Sequence, residues 1–283
     1  MHVGIVGTGK MGSAIACNLL DRGYRVSVWN VDPAMMEAAV AAGAAPRDDV
    51  ESLVANVDAV IAMLWGDEVA RDVSLGRIVP AARRGQLYIE SSTLSPQMYE
   101  TLAGAAARRG VDFLACPVIG SVDGARNGGL TLYPGGTAGA FEHGRVLLTA
   151  IGSSINFTGS PAASGHLKLA SNCMLAVLAD AIGELLAITG KAGVDRRLVV
   201  ETLVFMLERV ATKRQQLLDG DTKPRFSANA LLKDLRLARV TRDELEVNAP
   251  LLDCAFAEFA GVAEGLGDVD YIAVGLALER ASS

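Results

Sequence analysis

The chain carries Gly7-Thr8-Gly9-Lys10-Met11-Gly12, a G-x-G-x-x-G spacing directly after the apolar run 2–6. Each glycine answers a separate steric need. Gly7 permits a tight turn out of a strand, Gly9 has no side chain to keep a pyrophosphate off the backbone, and Gly12 lets the next helix pack closely on the strand. A helix that starts at such a turn offers free N–H groups and the positive end of its dipole to phosphates. Residues 7–12, with Thr8, Lys10 and Met11 between the glycines, are therefore expected to hold a dinucleotide. The second apolar run, 25–29, ends in Asn30-Val31-Asp32. An acidic residue there hydrogen-bonds the ribose 2′-hydroxyl of NAD, and a nearby arginine favours the 2′-phosphate of NADP. Asn30 bonds a hydroxyl without repelling a phosphate, yet no arginine follows it. Asp32 has two readings, a ribose contact or the cap of a helix that starts at Pro33. The balance leans slightly to NADP over NAD.

A second set of groups lies far downstream. Lys168 and Asn172 are four residues apart, so they share one face of a helix, and their neighbours Leu167, Leu169, Ala170, Cys173 and Met174 are apolar or small. A lysine in such company points to water, to a partner charge or into a cleft. Periodicity alone favours a snorkelling lysine at a helix start.

The elements that must position these groups follow from the hydrophobic pattern. Strands are expected at 2–6, 25–29, 59–64, 86–90, 111–115, 130–133 and 154–157, with helical stretches between them, the first at 11–20 with Gly23 in the stop position. Strands alternating with helices imply βαβ units and a mostly parallel sheet. Near residue 160 the pattern changes and no further strand is expected. Residues 163–190 contain no proline and are apolar on nearly every face, which predicts a long helix buried all round. Further helices are expected at 195–218, 227–246 and 249–265. The division is thus 1–160, an α/β nucleotide-binding domain, and 161–283, an all-α domain.

Composition excludes other classes. Of 283 residues, 51% are hydrophobic and 20% charged, with a net charge of −6; this is a folded chain with no basic run to bind nucleic acid. The four cysteines, Cys17, Cys116, Cys173 and Cys254, form no C-x-x-C pair, and the three histidines are scattered, so no metal site is expected. Lone thiols fit a reducing compartment, and no basic leader precedes the first strand, so a cytoplasmic protein is expected. The apolar stretch 167–190 includes Lys168, Asn172, Asp180 and Glu184, which argue against a membrane span. The positive mean hydropathy implies a large helical core or an apolar surface closed by a second subunit.

Four further segments, taken with the glycine turn, resemble the 3-hydroxyisobutyrate dehydrogenase (β-hydroxyacid dehydrogenase) family, in order along nearly the whole chain. Gly165-His166-Leu167-Lys168-Leu169-Ala170-Ser171-Asn172 is similar to its G-x-x-K-x-x-x-N catalytic motif. Ser91-Ser92-Thr93-Leu94-Ser95-Pro96 is similar to its S-T-x-S-P loop, Cys116-Pro117-Val118-Ile119-Gly120-Ser121 to its substrate loop A-P-V-S-G-G, and Lys233-Asp234-Leu235-Arg236-Leu237-Ala238 to its K-D-L-x-L-A motif. The resemblance implies a Rossmann-type doubly wound parallel sheet followed by an all-α domain with a long interdomain helix. It implies hydride transfer between a nicotinamide and a small hydroxy acid, or the matching aldehyde or keto acid. Lys168 would be the general acid/base, and Asn172 would orient substrate or lysine. Leu64, Trp65, Thr93 and Lys233 would contact the cofactor, and Ile119, Gly120 and Ser121 the substrate. Trp65 read from pattern alone is a core residue, Lys233 a solvated charge, and Thr93 or Ser95 a helix cap.

The likeness has departures. Ile119 replaces the family's substrate-binding serine, Ser121 its second glycine, Ala115 the acidic residue ahead of the loop, and Ala163 the first glycine of the lysine motif. Loss of a hydroxyl at a polar-recognition site changes substrate preference more than reaction class. Two rivals stand beside the dehydrogenase reading. Imine reductases share the architecture but commonly lack the lysine. A non-catalytic dinucleotide-binding module would keep the fold alone. A homodimer or homotetramer is expected.

Overall fold

The first apolar run forms β1 (His2–Val6), and the glycine turn leads into α1 (Lys10–Asp21), with Gly23 just beyond it at a φ of 82°. Next come β2 (Arg25–Trp29), α2 (Glu37–Ala41), β3 (Ala45–Pro46), α3 (Val50–Ala55), β4 (Ala59–Ala62) and α4 (Gly66–Ala70). A π-helical stretch, Arg71–Ile78, continues into α5 (Val79–Ala81). Then follow β5 (Leu87–Glu90), α6 (Pro96–Arg109), β6 (Asp112–Ala115), β7 (Val118–Ile119), α7 (Val122–Arg126) and β8 (Leu130–Leu132). The segment closes with β9 (Gly135–Gly136), α8 (Ala138–Ile151) and β10 (Gly152–Ile155). The rest is helical: α9 (Pro161–Lys191), α10 (Arg196–Ala211), α11 (Arg214–Asp219), α12 (Ala228–Glu244) and α13 (Pro250–Leu266). This computed structural model describes residues 1–266, 269–275 and 277.

The main sheet has seven strands in the order β3-β2-β1-β4-β5-β6-β9. All neighbours pair in parallel except β6 and β9. Strands such as β4, buried along its whole length, have no polar face because helices cover both sides of a parallel sheet. One core cluster joins Val3, Ile5 and Leu114 to Ile15 of α1 and Leu147 of α8. The other joins Val60, Tyr88 and Phe113 to Leu53 of α3 and Leu102 of α6. The chain leaves β1 in one direction and β4 in the other, so their C-terminal ends open a crevice, where ligands bind in such sheets.

The runs expected at 130–133 and 154–157 do not extend this sheet. They become β8 and β10, which with β7 form a separate three-stranded sheet in the order β10-β8-β7, and β10 lies two residues earlier than expected. The main sheet's edge is taken instead by β9, whose Gly136 pairs with Leu114. A Cβ on Gly136 would lie 2.6 Å from the Phe113 carbonyl oxygen, so only glycine can approach that closely.

Packing separates a unit from Met1 to Cys173 and a second from Met174 onward. The division falls inside α9, later than residue 160, because the start of that helix packs with the first unit. Ala162 donates its N–H to Glu100 at 3.0 Å, and Ser164 bonds Thr158 at 2.8 Å. Gly165 lies so near Pro96 and Tyr99 that a Cβ would come within 3.1 Å of both. The expectation that α9 is buried all round is not met within one chain: Leu167, Leu169, Met174, Leu175, Val177 and Leu185 are exposed. By length and composition alone α9 is apolar enough to cross a membrane.

In the second unit, the helix expected over 195–218 breaks between α10 and α11, where no glycine or proline stands. Lys213 stands at this break, as the residue that precedes α11. Its amine is buried against Asp270, with Nζ 2.8 Å from Oδ2 and 3.0 Å from Oδ1, and it also donates to Gln216. Burial alone would raise the Asp270 carboxyl. The Lys213 hydrogen bond and the N–H groups of Arg225, Ile272 and Phe226 outweigh it and hold the carboxyl at about 2. The pair thus contributes stability that is present above the ordinary carboxylate range and lost as the pH falls towards 2. Lys213→Ala strands a buried carboxylate. It is expected to cost about 3–5 kcal/mol, read as a lower urea midpoint of the helical circular-dichroism signal; an unchanged midpoint contradicts this role.

Candidate active site

A cavity of about 1340 Å³ opens at the C-terminal ends of β1, β2, β4 and β5. At its floor the glycine turn behaves as its spacing requires. Gly7 has a φ of 92°, and a Cβ there would stand 2.3 Å from the Met63 carbonyl oxygen. A Cβ on Gly12 would meet the Gly7 carbonyl oxygen at 2.0 Å. Gly9 is different: nothing lies within 4 Å of the position its Cβ would take. Its missing side chain leaves open space, as a phosphate approaching the backbone needs. Gly9 is also the N-cap of α1 and gives no side-chain hydrogen bond to the first turn, so those N–H groups remain available to an anion.

Asn30 braces this turn. Its Oδ1 accepts from the Thr8 N–H at 3.0 Å, and its Nδ2 donates to the Asp32 carbonyl at 3.0 Å. Asp32 is a cap, since its carboxylate accepts from Ala34 N–H at 3.0 Å. Beyond Asn30 the wall is made by Trp29, Val31, Met35 and Arg77. The Arg77 guanidinium lies 5.1 Å from the Trp29 ring centre and donates twice to Glu51, at 2.9 and 2.7 Å. That ion pair holds the exposed Glu51 carboxyl below its ordinary value. Sequence reasoning missed Arg77 because it comes from the π-helical stretch, remote in sequence from β2.

At the other end stand Met63, Leu64, Trp65, Ser91, Thr93, Val118, Gly120, Lys168 and Asn172. Trp65 is 91% exposed and is not a core residue. Ser95, not Thr93, caps α6, with its hydroxyl accepting from Met98 N–H at 3.1 Å. Ser91 is buried, and among the described residues its hydroxyl finds no hydrogen-bond partner. The half-buried Lys168 amine donates to the Val118 carbonyl at 2.8 Å, and burial lowers its pKa from the ordinary lysine value.

The remaining expected residues sit elsewhere. Thr8 is buried, and its hydroxyl has no partner among the described residues. Ile119 pairs with Thr131 in the small sheet, and Ser121 spends its hydroxyl on capping α7 at Gly124 N–H, 3.0 Å away; neither borders the cavity. Cys116 is fully buried, and burial pushes its thiol up to about 12, so it is packing and not a nucleophile. Lys233 belongs to the second unit, exposed and paired with Asp234 at 2.9 Å. Among the described residues no cluster of His, Cys, Asp and Glu is arranged to hold a metal.

A bare pyrophosphate cradle, an apolar wall for a base, and a half-buried amine at the far end together fit a dinucleotide with a reactive ring. Comparison with known proteins agrees. Residues 2–159 match the model for the NAD binding domain of 6-phosphogluconate dehydrogenase. Residues 162–276 match that for the NAD-binding region of NADP-dependent 3-hydroxyisobutyrate dehydrogenase. The 3-hydroxyisobutyrate dehydrogenase of Pseudomonas aeruginosa is 32% identical over 71% of this chain and 68% of its own length. The Mycobacterium tuberculosis 3-hydroxyisobutyrate dehydrogenase, solved with L-serine, is 28% identical over 98% of both chains, with a TM-score of 0.67. An imine reductase from a Pseudomonas species shares the fold, with a TM-score of 0.87 at 19% identity over 98% of this chain and 99% of its own. The chain belongs to the 3-hydroxyisobutyrate dehydrogenase family. It is an NAD(P)-dependent oxidoreductase acting on a hydroxyl group or the matching carbonyl.

Gly9 and Gly12 separate fold from binding. Gly9→Ala should fold, at a cost of about 0.5–1 kcal/mol for the poorer N-cap, but weaken dinucleotide binding, read by calorimetry. Gly12→Ala should instead lower the melting temperature, because its methyl meets backbone. Equal effects of the two substitutions on folding contradict this assignment.

Proposed function

We propose that this enzyme moves a hydride between a nicotinamide and a small hydroxy acid, or its aldehyde or keto acid, with Lys168 as general acid/base. The observation that carries the reading is that Lys168 and Asn172 line the same cavity as the glycine turn, with the amine anchored on the Val118 carbonyl at 2.8 Å. A bound nicotinamide supplies or accepts the hydride. The chain must handle the proton on the substrate oxygen. An ammonium has three N–H donors; Val118 occupies one, leaving others for that oxygen. In reduction the ammonium donates a proton to the forming alkoxide, and in oxidation the neutral amine removes it. Burial favours the neutral amine and so eases its use as a base. Asn172 offers a neutral amide on the same helix face to orient the substrate. Lys168 favours this chemistry over imine reduction, where the rival enzymes commonly lack the lysine.

The substrate class is narrowed by the loop after β6. Ile119 brings no hydroxyl and Ser121 uses its own as a cap, so the N–H of Gly120, which borders the cavity, is the donor left for a carboxylate. We favour NADP as the cofactor. Asn30 sets no negative charge at the end of β2, and the Arg77 guanidinium stands over Trp29, with N–H donors beyond the two that Glu51 uses. We also propose that the exposed apolar residues of α9 are covered in a homodimer or homotetramer, because a patch of that kind is seldom left in water. The four free thiols support a cytoplasmic location.

Lys168→Ala should lower kcat about 10²–10⁴-fold, the usual worth of a general acid/base, with dinucleotide affinity retained. The pH profile carries the sign. The oxidation rate should rise with pH until the amine is neutral. The reduction rate should fall over the same interval, which lies below the ordinary lysine value of about 10.4. Absorbance assays of NADH and NADPH with hydroxy acids, aldehydes, keto acids and cyclic imines measure both. A Lys168→Ala enzyme as active as wild type on every productive substrate contradicts the role.

A further inference from the structure

The buried carboxylate of Glu90 lies just behind the cavity and takes no part in the chemistry above. It is wholly enclosed, and no cation pairs with it in the described residues. Four donors converge on it instead. Ser74 Oγ donates to Oε2 at 2.7 Å and Tyr88 OH donates to the same oxygen at 2.5 Å. Ser92 donates to Oε1 from its N–H at 3.1 Å and from its hydroxyl. Burial raises the carboxyl pKa against the opposing pull of these donors.

The consequence lies in the direction of the Ser92 hydroxyl. Because its proton is committed to Glu90, its lone pairs face outward, and the Leu64 N–H donates to them at 2.6 Å. Tyr99 OH holds the Ser92 carbonyl from the other side. Ser92 is therefore fixed at its side chain, its N–H and its carbonyl, while its chain neighbours Ser91 and Thr93 both border the cavity. A second tie joins the same two loops, since Ser95 donates to Asp67 at 2.8 Å from its N–H and at 2.5 Å from its hydroxyl. The Asp67 tie is partly exposed; the Glu90 tie is dry, where a hydrogen bond holds geometry best.

We propose that Glu90 and Ser92 are positioning residues for hydride transfer. The carboxylate orients the Ser92 hydroxyl, the hydroxyl anchors Leu64, and the pair fixes the spacing of the loops after β4 and β5 that flank the nicotinamide. This rests on the reading that the ring lies at that end. The glycine turn still binds the rest of the dinucleotide when the clamp is lost, but the ring no longer sits in register for reaction. A misplacement near 1 Å costs about 10²-fold in rate.

The test uses the whole enzyme with Ser92→Ala and Glu90→Gln. In Glu90→Gln the side-chain carbonyl oxygen can still face the Ser92 N–H and hydroxyl, while the new amide nitrogen donates to Ser74 and Tyr88, so this variant keeps a weakened clamp. Three quantities are compared: kcat, ADP-ribose affinity, and the fluorescence of bound reduced nicotinamide. Ser92→Ala should lose about 10²-fold in kcat and Glu90→Gln less, and the double variant should be no worse than Ser92→Ala. ADP-ribose affinity should stay within about twofold, and the nicotinamide fluorescence should move towards that of the free cofactor. If Ser92→Ala does not fold, Glu90→Gln is judged by the same readouts. Unchanged kcat in an active background, or equal loss of kcat and ADP-ribose affinity, overturns the clamp. A wild type that binds ADP-ribose yet gains nothing from the nicotinamide overturns the reading beneath it.

Discussion

The structure depends on one constraint: several strand ends must deliver backbone and side chains to the same crevice. The order β3-β2-β1-β4-β5-β6 meets it by turning the chain in opposite directions on either side of β1 and β4. The glycine turn leaves β1, Asn30 leaves β2, Leu64 leaves β4, and Ser91 and Thr93 leave β5. Each strand contributes its C-terminal end, so a single cavity collects groups from residue 7 to residue 93. The start of α9 then adds the Lys168 amine and the Asn172 amide. The hydrogen bond from Lys168 to the Val118 carbonyl ties that helix to the loop after β6 and orients the cationic group at this end of the cavity.

Charge is handled differently at three places, and the differences follow burial. Lys213 and Asp270 form a buried pair in the second unit, where the lysine and the backbone donors hold the Asp270 carboxyl low. Lys168 has no such partner among the described residues, so desolvation acts alone and favours the neutral form a base requires. Glu90 is fully buried, has no cation paired with it among the described residues, and is held by hydroxyl and amide donors. A carboxylate of this kind gains little for stability. It does impose a direction on every hydroxyl around it, which suits the positioning of neighbouring loops.

The glycine turn was legible in the sequence because it is a statement about missing side chains. Gly7, Gly9 and Gly12 are each required for a local reason, and each reason reappears in the structure. The parallel sheet was legible from its apolar runs. Lys168 was not legible from periodicity, which favours a snorkelling side chain; only the family's ordered motifs singled it out. What escaped was long-range. At the break between α10 and α11, Lys213 reaches Asp270, 57 residues away. Arg77 borders the cavity through a π-helical stretch that carries no glycine or proline signal at its start. Glu90 ends the strand expected at 86–90, and only the fold reveals Ser74, Tyr88 and Ser92 around it. The exposure of α9 escaped because an apolar helix looks the same in sequence whether its cover comes from its own chain or from another.

The most direct measurement is a crystal structure with oxidised dinucleotide and a small hydroxy acid bound. The expected result has the nicotinamide between the loops after β4 and β5, its reacting carbon about 3–3.5 Å from the substrate carbon. The Lys168 amine should lie about 2.6–3.2 Å from the substrate oxygen. A ring bound elsewhere, or an amine turned to bulk solvent with no contact to substrate, would contradict the central claim.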